Sequence, residues 1–292
     1  MKFLKSSSDA QRGIALLIIA MLFFSLMDAT AKGLSERNSS IMVVWARYTS
    51  QVVWSFLILS PWLFRLMRTK QLKMQWLRSA LLFGATLAFF TSMRYLKLAE
   101  ATAIFEIAPL LITILSVVIL KETVGLHRKI GVAIGLLGAL VIVRPGMGVF
   151  QWAALLPMIA AFFYASYSIA TRFLGRDEPA ATSFLYTALI GTIVASLMVI
   201  PAWESPPSSD IPIMISFGMI GGLGHIALVG ALRFAPASML APFGYTGLMF
   251  NTLWGYAFFD EVPDLPTIIG GLIIVAAGLY VWHREMQAST AK

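Results

Sequence analysis

The run AEATAIFEIAPLLITILSVVIL (Ala99–Leu120) is almost wholly apolar, yet it carries Glu106 and Pro109. A carboxylate in such surroundings is costly unless it is paired, wetted or protonated. Proline removes a donor from the helix ladder and frees a carbonyl one turn back, which opens or bends the helix. Together the two predict a site on a water-lined path, where Glu106 binds a cationic group of a ligand or exchanges a proton. Asp28 and Arg47 lie in two other apolar runs. At a helical rise of about 1.5 Å per residue, all three charges fall in one layer roughly 9–10 Å below one surface. Charges at such depth face a protein interior or a wet cavity and pair there. Arg47 is therefore expected in a structural ion pair with one of the carboxylates.

The remaining chemistry-bearing side chains are mostly aromatic. The stretch APFGYTGLMFNTLWGY (Ala241–Tyr256) offers Tyr245 and Asn251, with Pro242 and Gly244 loosening its start. FFYASYS adds Tyr164 and Tyr167, and His225 sits among Gly218, Gly221, Gly222 and Gly224. Aromatics with a few polar groups suit a flat organic or amino-acid-like ligand. The expected substrate-binding set is thus Asp28, Glu106, Tyr164, Tyr167, His225, Tyr245 and Asn251, with Pro109 and Pro242 as helix breaks that permit gating. Gly131, Gly135, Gly138, Gly270 and Gly271 are read as close-packing positions between helices. No metal and no cofactor is expected. The chain has no Cys, and its His residues are scattered at 127, 225 and 283. A GxSxG serine, an HExxH helix, paired aspartate motifs and a Walker-type phosphate loop are all absent from the sequence, so an enzyme or a nucleotide-driven pump is a remote alternative.

These residues need elements to hold them. Of 292 residues, 59% are hydrophobic and only 12% charged, with mean hydropathy +0.81. A soluble domain carries about a quarter charged residues. Apolar runs long enough to cross a hydrocarbon core as helix recur along the chain. They fall near 13–34, 41–63, 76–94, 99–120, 126–143, 150–173, 181–201, 211–231, 237–259 and 265–283. The expected fold is therefore an all-α polytopic membrane protein of ten transmembrane helices. Lys2, Lys5, the run Ile14–Met27 and Ala29-Thr30-Ala31 imitate a cleavable signal, but the repeat described next requires that segment to stay. With both termini cytoplasmic, sixteen of the 22 Lys and Arg lie inside, five lie outside and Arg47 falls within a span. The net charge of +8 then follows from the positive-inside rule rather than from nucleic-acid binding.

A shift of 139 takes Glu106 to Tyr245, Glu122 to Glu261 and Gly131 to Gly270. A shift of 140 takes Leu16 to Leu156 and Lys32 to Arg172. Residues 1–144 and 145–292 read as two five-helix repeats. Because five is odd, the second repeat must be inverted in the membrane, which is the architecture of secondary transporters.

The stretches AEATAIFEIAPLLITILSVVILKETVG, ALRFAPASMLAPFGYTGLMFNTLWGYAFFDEVPD and IIGGLIIVAAGLYVWHRE carry a resemblance. The chain resembles the EamA-type members of the drug/metabolite transporter superfamily over essentially its whole length. The family's second-half proline is missing at the equivalent place, where Leu248 stands. The resemblance implies a cell inner membrane carrier with a cavity lined by spans 1, 3, 4, 6, 8 and 9. The other four spans would support it, leaving Arg47 on span two in a structural role unless it reaches inward to Glu106. The second half is similar to that of bacterial riboflavin and S-adenosylmethionine carriers. Expected partners are a small-molecule substrate and the lipid bilayer, with proton coupling an open expectation. An exporter of amino acids or related metabolites is the alternative.

Overall fold

A computed structural model describes residues 2–60, 63–121, 126–144, 152–174, 178–235 and 240–290. Among these residues every regular element is helical. The helices are α1 (Lys2–Ser35), α2 (Ser40–Leu59), the single turn α3 (Leu63–Leu66), α4 (Leu72–Ser92), α5 (Leu98–Phe105), α6 (Ala108–Leu120), α7 (Leu126–Val143), α8 (Leu155–Leu174), α9 (Ala180–Val199), α10 (Ile211–Phe234), α11 (Thr246–Phe259) and α12 (Leu265–Thr290). The cores of all the apolar runs are helical. Among the described residues six segments are long and apolar enough to cross a membrane: 11–35, 40–58, 98–120, 152–174, 181–199 and 211–234. Lys129–Val143 and Leu265–Val281 are shorter apolar helices. The boundary between the expected repeats at 144/145, and Glu122 of the repeat alignment, lie outside the described residues.

The distribution of side chains is that of a protein solvated by lipid. Leu57, Val118, Leu197 and Ile200 are exposed, whereas Gln75, Ser79 and Ser92 are fully buried. Polar groups inside and apolar groups outside satisfy the backbone and leave hydrocarbon in contact with hydrocarbon.

Helix pairs form across the halves. α1 packs on α10 and α4 on α8, while α2 packs on α9 and α7 on α12. Advancing each member by one half exchanges the first two pairs and returns the last two to themselves. That is what a two-fold relation between halves requires. Local geometry repeats in the same way. α6 ends at Lys121 with φ 55°, and α11 ends at Asp260 with φ 52°, which is 139 residues on. The cap N–H bonds Ser116 O in one and Gly255 O in the other, again 139 apart. Lys32 of α1 reaches Glu261 beyond α11, and its counterpart Arg172 of α8 donates to Ser116 of α6 at 3.2 Å.

The glycines read as packing positions do most of that work in the α7–α12 seam. A Cβ at Gly138 would lie 2.9 Å from the Gly270 carbonyl, and one at Gly131 would overlap Val281. Gly271 is the exception, since a Cβ there meets only ordinary contacts.

Candidate functional site

Between the halves lies a cavity of about 710 Å³. Its walls include Asp28, Glu106, Pro109, Tyr164, Tyr167, His225, Tyr245 and Asn251, so residues far apart in sequence converge on one space. Pro242 belongs to the 3₁₀ turn Ala241–Tyr245 that precedes α11, but its side chain lies outside the described residues.

Glu106 owes its position to a broken helix. α5 stops at Phe105, Glu106 caps it, and α6 restarts at Ala108 with Pro109 in its first turn. Proline is well tolerated there because the first-turn N–H groups lack helical partners anyway. The Glu106 carboxyl has no hydrogen-bond or salt-bridge partner among the described residues and faces the cavity. Its counterpart Tyr245 also stands at a break, where the 3₁₀ turn passes into α11. Both halves therefore interrupt the chain at matching places, although Leu248 and not a proline stands 139 residues after Pro109. The Tyr245 ring lies against Gly278, where any side chain would collide with the phenol oxygen.

Asp28 Oδ2 accepts from Asn251 Nδ2 at 3.1 Å, and the same amide nitrogen donates to Thr102 Oγ1 at 3.0 Å. This node ties α1, α5 and α11 together. Asn251 Oδ1 is left buried and without a partner. A continuous aromatic wall follows. The ring centroids of Phe89 and Phe105 are 5.0 Å apart, those of Phe105 and Tyr164 5.5 Å, and those of Tyr164 and Tyr167 5.7 Å. His225 packs between Phe24 at 6.0 Å and Phe184 at 5.1 Å.

Two expectations are corrected. Arg47 makes no ion pair among the described residues. Its Cζ lies 4.7 Å over the Tyr48 ring, Nη1 donates to Thr86 at 3.5 Å, and Nε is buried without a partner. The guanidinium stands on the cavity wall, with Asp28 bonded to Asn251 and coupled to Arg47 only through space. Nor is the wall confined to the six expected spans. Arg47 of α2, Val132 of α7, and Gly278 and Val281 of α12 contribute, because a long side chain reaches inward and small residues admit the void.

Arg78, counted among the inner-side charges, is only 5% exposed. It donates to Tyr167 Oη at 2.7 Å, to Thr171 Oγ1 at 3.0 Å, and to the Ser183 carbonyl and Thr187 Oγ1. It thus fixes the Tyr167 hydroxyl from behind. Its place inside an apolar run, three residues from Gln75, was the available signal.

A polar plug lies one helical turn beyond the cavity residue Asp28. Lys32 Nζ bonds Glu261 Oε1 at 2.8 Å and the carbonyls of Leu96 at 2.9 Å and Met93 at 3.2 Å. Glu261 Oε2 accepts the Leu98 N–H at 2.8 Å, and Lys97 Nζ donates to the Val262 carbonyl. The end of α1, the α4–α5 connection and the α11–α12 connection are thereby fastened together. Beside it, Arg37 makes a forked contact with Asp210, at 2.9 Å from Nη2 and 3.2 Å from Nε. The Arg37 guanidinium holds the Asp210 carboxyl below the usual carboxylate range.

The profile of the EamA-like transporter family matches residues 11–144 and again 151–282. The chain is 29% identical to a riboflavin transporter of Vibrio cholerae over 95% of both chains. It is 24% identical to an S-adenosylmethionine uptake transporter of Rickettsia prowazekii, covering 96% of this chain and 95% of the relative. A pseudopaline exporter of Pseudomonas aeruginosa is 26% identical over 91% of this chain and 94% of its own. One crystal structure shares the fold with a TM-score of 0.64 at 19% identity, over 92% of this chain and 96% of that one.

Proposed function

The chain belongs to the EamA-like transporter family, and from that premise we propose that it carries a small organic metabolite by alternating access through the cavity between its halves. The observation that carries this reading is the Glu106 carboxyl, unpartnered at a helix break and facing the cavity. Discontinuous helices at the midplane of repeated halves are where secondary transporters bind their substrates. In this reading α4, α7, α11 and α12 also cross the bilayer, which gives ten spans in two inverted repeats of residues 1–144 and 145–292. The termini are cytoplasmic, in the inner membrane of a bacterial-type cell.

The substrate we favour is a vitamin or nucleoside-like compound such as riboflavin or S-adenosylmethionine. The aromatic wall offers stacking for a flat ring, while Asp28, Glu106 and Asn251 offer polar recognition. The relatives named for these two compounds support the choice. Export of an amino-acid-like metabolite is the second reading, supported by the pseudopaline exporter. The plug around Lys32 closes the end away from the termini, and the cavity reaches Thr113, Leu228 and Val281 towards the terminal side. We take this to be the inward-facing state.

The test is uptake into proteoliposomes of riboflavin, S-adenosylmethionine, aromatic amino acids and a nucleoside, with and without an inside-alkaline gradient. One compound is expected to enter saturably, and Glu106→Gln to lose most of that flux. Normal flux in Glu106→Gln at every pH would remove Glu106 from the site. Stimulation by the gradient would establish proton coupling.

A further inference from the structure

We infer that Arg47 is the anion-binding group of the cavity, so that the ligand carries a carboxylate or phosphate on its aromatic or heterocyclic body. The inference rests on the transport reading of this same cavity and narrows its substrate class to the anion-bearing members, which keeps S-adenosylmethionine with its carboxylate and sets riboflavin aside. Arginine presents five N–H donors in a fixed fork that matches two oxygens of an anion. Among the described residues only one donor has a protein acceptor, Thr86 Oγ1, at the long limit of 3.5 Å. Nε is buried and has no partner. A donor buried without an acceptor is costly in a low-dielectric interior. Stacking over Tyr48, with Phe90 at 6.0 Å, holds the guanidinium by its faces and leaves donor edges unused. No acid bonds it directly: no carboxylate oxygen lies within 4 Å of Arg47 among the described residues, and Asp28, whose charge Arg47 feels only through space, takes its hydrogen bond from Asn251.

The Glu106 carboxyl stands bare on the same cavity, so a cationic or donor group of the ligand has a partner there as well. Neutralising Arg47 with an incoming anion satisfies its donors at the moment of binding. The same ligand is then held by charge of both signs and by the rings between.

The experiment uses the purified wild-type protein and an arginine-selective vicinal dicarbonyl, with modification at residue 47 quantified by mass spectrometry. Phenylacetate, benzoate and flavin mononucleotide are compared with their uncharged counterparts phenylacetamide, benzamide and riboflavin. Arg47 is expected to react, and at least one anion to slow the reaction about tenfold more than its neutral partner, the scale of a charge-assisted bidentate pair. No reaction at Arg47, or equal protection by charged and neutral members, overturns the inference. Faster reaction in Asp28→Asn with no protection by any anion also overturns it, in favour of an internal pair with Asp28. Proteoliposome flux of the same compounds separates the two levels. Flux without anion preference removes the Arg47 role and leaves transport standing. Anion protection without flux of any compound keeps the binding site and removes transport.

Discussion

At the scale of single residues, the protein places charge where lipid and apolar side chains would expel it, and each charge is held differently. Lys32 is saturated by two carbonyls and Glu261, Arg78 by hydroxyls and a carbonyl, and Glu106 by nothing among the described residues. The last of these is the one that reads as a working group. Asp210 is the structural contrast. Its folded carboxyl titrates below the unfolded value near 3.8 because Arg37 and Asn38 bond the charged form. A depressed carboxyl stabilises the fold above its unfolded pKa, and that stability is lost as pH falls through the folded value. Asp210→Asn should therefore lower stability at neutral pH by about 1–2 kcal/mol, an amount reduced by the half-exposed Arg37 partner. The difference from wild type should fade below about pH 4 in thermal unfolding followed across pH. A constant difference at all pH values would remove the ion pair as its cause.

At the scale of elements, the helices were legible and their partners were not. Apolar length and Pro109 in the sequence predict both the spans and the break at Glu106, because bilayer thickness and the missing N–H are local constraints. The break before α11 was half visible in Pro242 and Gly244. Arg47 was misjudged because no local pattern tells whether a carboxylate on another helix is already engaged by Asn251. The contributions of α7 and α12 to the wall were hidden for a related reason, since a glycine such as Gly278 lines a cavity only when another helix brings a ring to it. The α7–α12 seam gives a prediction at this scale. Gly138→Leu would force apart backbones that meet at Gly270, whereas a Cβ at Gly222 of α10 meets nothing within 4 Å. Gly138→Leu should destabilise the purified protein by about 3 kcal/mol or prevent its accumulation. Gly222→Ala should stay within about 0.5 kcal/mol of wild type. Equal melting of the two variants would mean that the seam yields freely.

At the scale of the whole molecule, the halves meet around one space that is fastened at one end by Lys32 and Glu261. The absence of cysteine makes each end addressable by a single introduced thiol. Thr113→Cys should react with a membrane-impermeant maleimide from the face bearing the termini, and Glu36→Cys from the other. Adding Glu261→Gln to Thr113→Cys should admit reagent from the far side several-fold faster. An unchanged rate would show that the plug does not hold that end shut. The interrupted span has a further consequence, which falls during synthesis rather than during transport. α6 alone, at 13 residues, is about 20 Å long and too short for a bilayer, so the segment 98–120 must enter the membrane as one piece with Glu106 inside it. A central carboxylate costs the insertion machinery about 3 kcal/mol, while each Leu, Ile, Val or Phe returns roughly 0.3–0.6 kcal/mol. That segment has the highest mean hydropathy of the six long spans, 2.5, and its lipid-facing Val117, Val118 and Ile119 supply part of the excess. Those residues touch no ligand, yet they let the ribosome deliver a buried acid. A second acid such as Leu111→Glu should tip the segment out of the membrane and reverse the orientation of every helix made after it, a change that reporter fusions to the following connections would register.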